Sequence, residues 1–199
     1  MRRAIPLDLV LTIVSRIAAT VSCPVTVDFE GGYAQTPAGI ARNVQRVIEA
    51  GAVGINFEDQ VVGGPGLNTV EEHCARIAAI RDVAKSAGVP LFINARTEVF
   101  LKAAEGSDPH ALMADAIARR TAYAEAGADG FFVPGLTDTA LIKAICHDSP
   151  LPINVMMRGG LTSVSAVASM GVARASHGPG PYFTAMSDLA GHQKKARAS

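Results

Sequence analysis

PVTVDFEGGYAQTPAGIARNVQRVIEAGAVGINFED, residues 24–59, holds a complete strand–helix–strand unit. Val25, Val27 and Phe29 alternate with polar residues and predict a short strand that finishes on Asp28 and Glu30. Thr36 is placed to cap a helix and Pro37 suits its first position. Ile40, Val44, Val47 and Ile48 recur at helical spacing, and Gly51 suits the left-handed residue that closes a helix. A second strand follows at 53–59 and again finishes on an acid, Glu58. A helix between two strands returns the chain to the starting end of the sheet, so the strands run parallel.

The unit recurs along the chain. Apolar runs at 24–30, 53–59, 90–98 (PLFINARTE), 129–135 (DGFFVPG), 151–157 (LPINVMM) and 172–178 (VARASHG) alternate with helical patterns. Such alternation fits either a doubly wound sheet or a barrel. At least four strand ends carry chemically capable side chains: Asp28 with Glu30, Glu58, Arg96 and Asn154. Function spread over many strand ends is barrel geography, whereas a doubly wound sheet concentrates it at one switch point. No G-x-G-x-x-G follows any strand. The expected fold is therefore a TIM-type (β/α)8 barrel, incomplete, with about six βα units in a single domain over residues 1–199.

The composition excludes several functions. Of the 199 residues 49% are apolar and 18% charged, and the formal net charge is zero. That balance argues against nucleic acid or an anionic membrane surface as partner. Three cysteines without paired spacing fit a reducing cytoplasm. The opening MRRAIPLDLVLTIVSRIAATVSC has the outline of a signal peptide. Asp8 and Arg16 interrupt its apolar stretch, while Leu7, Val10, Leu11, Val14, Ile17, Ala18 and Val21 keep helical spacing. An amphipathic core helix is expected there. No run reaches the roughly 18 to 20 apolar residues of a membrane span.

Strand alternation places Asp28 and Glu30 on one face, and likewise Asn56 with Glu58 and Asn94 with Arg96. Three carboxylates at neighbouring strand ends resist joint ionisation, and a hard divalent cation relieves that repulsion. Asp28, Glu30 and Glu58 are thus candidate Mg²⁺ ligands, with Arg96 opposite them. The Arg96 fork suits either neutralisation of the acids or bidentate capture of a substrate carboxylate. Asn154 can bind a substrate oxygen or cap the next helix. His177, in ASHGPGP, is a candidate substrate-binding acid or base. MRGGLTS and SHGPGP lie after the last two strands, where barrels often bind phosphate, although turn geometry also explains these glycines.

PVTVDFEGGYAQTP, AGAVGINFEDQ, RIAAIRDVA, PLFINARTEVFL, AGADGFFVPGL and LPINVM, in order and at matching spacing, resemble the isocitrate lyase/phosphoenolpyruvate mutase superfamily from about Ile5 to Tyr182. The resemblance implies a (β/α)8 barrel, commonly a homo-oligomer (dimer or tetramer) with an exchanged last helix. It implies Mg²⁺-dependent cleavage or formation of C–C or P–C bonds in small 2-oxo acids through an enolate. By the same resemblance Asp28 is the main metal-contacting acid, and Glu30 and Glu58 hold the metal mostly through waters. Arg96 binds the substrate carboxylate and steadies the enolate, Glu58 joins it as a catalytic residue, and Asn154 contacts substrate.

Three departures qualify that expectation. The first two strands of the family pattern are missing, so the resemblance is to an N-terminally truncated member. The gating loop K-K-C-G-H of the lyases is replaced by DQVVGGPGLNT. VPG stands where the lyases place a glutamate after the sixth strand, which favours the phosphonomutase or oxaloacetate decarboxylase side. The alternative expectation is a non-catalytic remnant that retains the scaffold and the metal cradle. A phosphate-binding barrel that relies on its last two loops is a third.

Overall fold

The computed structural model describes residues 5–61 and 63–198. Every expected apolar run contains a strand: β1 (Thr26–Asp28), β2 (Gly54–Glu58), β3 (Phe92–Arg96), β4 (Gly130–Phe132), β5 (Ile153–Met156) and β6 (Arg174–Ser176). The helices are α1 (Leu7–Ala18), α2 (Pro37–Glu49), α3 (Val70–Ser86), α4 (Pro109–Glu125), α5 (Thr139–Cys146), α6 (Val164–Ala168) and α7 (Gly180–Ala198). All five strand pairings are parallel and the spatial order is the chain order, β1 to β6. Sequential order is the progression of a barrel wall; a doubly wound sheet reverses in its middle. Among the described residues β1 and β6 each have one strand neighbour, so the wall is curled and open, as six units of a barrel require.

The two faces of the sheet differ as the alternation dictates. Val27, Ile55, Phe57, Ile93, Ala95, Phe131 and Val155 point to the helices and are buried. Ile40, Val44 and Val47 of α2 and Ile77 and Ile80 of α3 cover them and are wholly excluded from solvent. Burial of each large apolar side chain contributes roughly 1.5–3 kcal/mol. The opposite face carries Asp28, Asn56, Asn94 and the row Glu58, Arg96, Phe132 and Asn154, aligned across four strands by register. The Asn94 amide donates to Asn56 Oδ1 at 2.8 Å, which ties the polar face between β2 and β3.

Helix starts follow local chemistry. Thr36 Oγ1 accepts from the Gly39 N–H at 3.2 Å and Pro37 occupies the first turn of α2. Thr69 and Glu72 form a reciprocal capping box at α3. Gly51 closes α2 at φ 94°, a backbone angle that penalises any side chain.

α1 forms within the expected segment, but its stripe is only partly covered. Val14 is buried, and Leu7, Val10 and Leu11 pack on the core. Ile17 and Val21, assigned by spacing to the same stripe, are exposed, together with Leu9 and Ile13. The reason is that α1 packs chiefly on α2, and one neighbouring helix covers one narrow face. The charged start, Arg2-Arg3, lies outside the described residues. Among the described residues no helix is long and apolar enough to cross a membrane.

One polar residue sits deep in the helical layer. His73 of α3 is fully buried, stacked on Phe57 with ring centroids 4.7 Å apart and planes 15° apart. Tyr123 of α4 meets its other side at 4.8 Å. Neither ring nitrogen finds a hydrogen-bond partner. Burial first, then the charges of Arg76 and Arg119, lower its pKa from 6.5 to about 3. A proton bound by the unfolded chain is therefore refused by the folded one between those values. The stability so gained is complete above pH 6.5 and is lost as pH falls towards 3, about 2 kcal/mol by pH 5. His73→Leu should flatten the decline between pH 7 and pH 5 in urea denaturation; an unchanged slope would refute the assignment.

Candidate active site

The chain turns sharply where β1 ends. Glu30 (φ 47°) and Tyr33 (φ 54°) both adopt left-handed backbone, with Gly32 (φ 84°) between them. Non-glycine residues hold that conformation only where their surroundings enforce it. Here Asn43 of α2 donates its side-chain amide to the carbonyls of Gly32 at 3.0 Å and Tyr33 at 3.3 Å. A Cβ on Gly32 would lie 2.9 Å from Ile40 Cγ1 and 3.2 Å from the Phe57 ring. The turn is thus pressed against the core, and it presents Asp28 and Glu30 at the C-terminal end of the sheet.

Arg96 sits at the centre of this end. Its Nη2 lies 3.4 Å from Glu58 Oε2 and its Nη1 3.7 Å from Asp28 Oδ2. Its Nε contacts Glu98 Oε1, and its guanidinium lies 5.6 Å from the centroid of the Phe132 ring. Glu58 and Glu98 are buried, Arg96 nearly so, and Asp28 more than half exposed. The three nitrogens of one fork therefore serve three carboxylates. The guanidinium thus stands among the acids, the neutralising arrangement that its fork allows as readily as capture of a substrate carboxylate. The register pairing of Glu58 with Arg96 on adjacent strands makes that contact unavoidable.

Glu98 was not among the candidates, although the signal was present. It lies two residues after Arg96, and period-two alternation sends both to one face. The PLFINARTE run read as ending on its arginine, yet the polar pattern continues one step past the strand.

Burial is the largest influence on Glu58 and raises its pKa from 4.5 to about 7. The Gln60 amide and Arg96 oppose that rise, while Glu98 and Asp28 add to it. Burial and the Asp28 charge also raise Glu30, against the pull of Arg96. Tyr33 is raised by burial and by Glu30, Asp28 and Glu58, so its hydroxyl remains protonated beside the acids. The cluster is a pair of protonatable carboxyls next to a permanent cation, a pattern that concentrates at functional sites.

A second network fixes the first from behind. Asp59, adjacent to Glu58, is fully buried and points to the helices. Its carboxylate accepts from Thr97 Oγ1 at 2.8 Å, the Glu98 N–H at 2.9 Å, Arg119 Nη1 at 3.0 Å and the Tyr123 hydroxyl at 2.8 Å. Its own N–H donates to the Arg96 carbonyl at 3.0 Å. The backbone on both sides of Thr97, directly after Arg96, is thereby tied to β2 and, through Asp59, to α4.

Asn154 lies two strands beyond Arg96 in the same row, 1% exposed. Its Oδ1 accepts from Ser176 Oγ at 3.1 Å, but its Nδ2 has no partner. The α6 N-cap is Ser163, so Asn154 is not that helix's cap. His177 is not brought to this cluster. It follows β6, at the far edge of the sheet, and lines an open cavity with Met157, Pro181, Thr184 and Asp188 against α7.

Among the described residues no group of three His, Cys, Asp or Glu side chains is spaced to hold a metal ion directly. Asp28, Glu30 and Glu58 nevertheless offer only hard oxygen donors, two of them with charge that burial leaves poorly satisfied. That set fits Mg²⁺, which keeps several waters and takes one or two protein carboxylates. It does not fit a closed all-protein cage.

The phosphoenolpyruvate phosphomutase family model matches residues 2–197. The 2-methylisocitrate lyase of Escherichia coli K12 is 33% identical over 197 residues, which cover 94% of the chain and 63% of that enzyme. The chain thus spans less than two thirds of the length of this relative. Curated relatives also include oxaloacetate decarboxylases and a phosphorylmutase. A Burkholderia cenocepacia J2315 protein proposed to be a phosphonomutase is 46% identical, with TM-score 0.91, over 96% of this chain and 77% of its own. Phosphonopyruvate hydrolase, solved with oxalate and Mg²⁺, shares the fold at 22% identity and TM-score 0.80, over 98% of this chain and 68% of its own.

Proposed function

Because the chain belongs to the isocitrate lyase/phosphoenolpyruvate mutase superfamily, we propose that it is a Mg²⁺-dependent lyase, decarboxylase or phosphonomutase. It acts on a C–C or P–C bond beside the carbonyl of a small 2-oxo acid, through an enolate. The observation that carries this reading is Arg96, a largely buried guanidinium fixed between Asp28, Glu58 and Glu98 at the C-terminal end of the strands. Arg96 binds the substrate carboxylate and stabilises the negative charge that grows on the oxo oxygen, where a fixed cation acts most strongly. Glu58, which burial raises to about 7 in the metal-free site, carries a proton there near neutrality, and a bound ion would favour its carboxylate form. The unpartnered Asn154 Nδ2 is a buried donor that a substrate oxygen would satisfy. Asp28, Glu30 and Glu58 are the residues that would hold the ion. The chemistry supplied by Mg²⁺, when bound, is Lewis-acid polarisation of the carbonyl.

The exposed apolar residues Leu9, Ile13 and Ile17 of α1 and Tyr182, Phe183, Met186 and Leu189 of α7 support a homo-oligomer. Three free cysteines support a reducing, cytoplasmic location.

Thermal stability titrated with Mg²⁺ and oxalate, an enolate mimic, tests the proposal. Oxalate should stabilise the protein only with Mg²⁺, and Asp28→Asn should weaken that joint effect about tenfold in concentration. Asp28 is exposed, so the variant should fold. Stabilisation by the metal without any response to oxalate would favour the non-catalytic scaffold instead.

A further inference from the structure

Among the described residues four buried side-chain polar atoms lack a hydrogen-bond partner. Three of them, both His73 ring nitrogens and Arg120 Nε, belong to helices α3 and α4. The fourth, Asn154 Nδ2, stands on the polar face of the sheet, in the row that holds Arg96. Asn94 on the same face differs, because its amide nitrogen already donates to Asn56 Oδ1. A buried donor without an acceptor is destabilising, and a ligand that supplies the acceptor removes that cost.

The other end of the Asn154 amide is satisfied. Ser176 of β6 donates its hydroxyl to Asn154 Oδ1 at 3.1 Å. Register explains the contact: Asn154 lies opposite Arg174, and Met156 opposite Ser176. Alternation then puts all four side chains on one face, with Ser176 one diagonal step towards the C-terminal end. The Met157 N–H donates to the Ser176 carbonyl at 2.7 Å and holds the end of β6 against β5. The hydroxyl is therefore carried on a fixed strand end, which is what a group that orients another requires.

An amide bears its oxygen and its nitrogen on different sides of one carbon. With Oδ1 held to Ser176, Nδ2 is turned away from it. The reversed amide would direct its N–H at Ser176 Oγ and present an oxygen instead. An oxygen repels a carboxylate or an enolate, whereas an N–H stabilises either.

We infer that Ser176 is a positioning residue: it occupies the Asn154 carbonyl oxygen and so presents Nδ2 as a donor to an oxygen of the bound oxo acid. The inference rests on the proposed function, in which Arg96 and Asn154 receive the same ligand. Ser176 itself touches no reacting atom and acts through Asn154.

Calorimetric titration of the full chain with oxalate in Mg²⁺ buffer tests this. Asn154→Ala should weaken oxalate about tenfold and Ser176→Ala about fivefold. Ser176 is only half-buried, so its alanine variant should fold. Ser176→Thr keeps the hydroxyl and should bind within about twofold of the native chain. In the Asn154→Ala background Ser176→Ala should cause no further loss, which a merely structural serine would not produce. Heteronuclear NMR relaxation of the Asn154 side-chain amide supplies a readout that needs no ligand: the amide should be rigid in the native chain and in Ser176→Thr and mobile in Ser176→Ala. Native affinity in Ser176→Ala, or losses that add across the two positions, overturns the inference. If the native chain binds no oxalate, the catalytic reading falls, and the amide relaxation alone decides the positioning role: rigidity lost only in Ser176→Ala upholds it, and equal mobility in both overturns it.

Discussion

Arg96→Met should abolish oxalate binding and reduce kcat/KM on any accepted 2-oxo acid by about 10² to 10³-fold. The side chain contributes twice. Its fork supplies the cation at which charge develops, and it holds three carboxylates apart from one another. Without it Glu58, Glu98 and Asp28 repel, and Glu58, which Arg96 now restrains, rises above its present pKa of about 7. Any residual activity should therefore depend on a base that titrates at higher pH, with the limb of the profile displaced upward. Arg96→Lys keeps one charge but cannot address three carboxylates from three nitrogens, so it should rescue little. The measurements are oxalate affinity by calorimetry and the pH profile of kcat/KM, with circular dichroism to verify the fold. Near-native affinity in Arg96→Met would remove the basis of the proposed mechanism.

Asp59→Ala should produce the largest loss of stability of any change near the site, about 3–5 kcal/mol, because it leaves Arg119 buried without its main partner. For a chain of this length that corresponds to a fall in melting temperature on the order of 10 °C. The Tyr123 hydroxyl and Thr97 Oγ1 also lose their acceptor. A double-mutant cycle separates charge from packing. Arg119→Met in the Asp59→Ala background should recover part of the loss, since no buried charge then lacks a partner. Additive losses would show that Asp59 and Arg119 act independently. The same carboxylate holds the Glu98 N–H, so Asp59→Asn, milder in stability, should still weaken oxalate binding by loosening Glu98 and Arg96.

These two residues mark how far pattern reading reaches. Arg96, Glu58 and Asp28 were legible as strand-end polar residues because a strand has period two and its polar face is visible in the order of residues alone. The whole series of βα units was legible for the same reason, with Thr36, Pro37 and Gly51 marking the ends of α2. Asp59 was not legible. It adjoins Glu58 and looks like a second site acid, but alternation turns it to the helices, where Arg119 and Tyr123 wait some sixty positions away. The α1 stripe shows the opposite failure: spacing named its apolar residues, while the number of neighbouring helices decided which of them are covered.

Local order determined the strands, the helices between them, their parallel sense and the face on which each polar side chain stands. Those are properties of a few consecutive residues, set by backbone periodicity and capping. Only the tertiary structure decided that Arg96 stands among the carboxylates, that Glu98 joins them and that His177 lies elsewhere. Those outcomes depend on register between strands and on loops meeting across the sheet end. Distances between groups far apart in the chain are set by packing, and packing leaves no local trace.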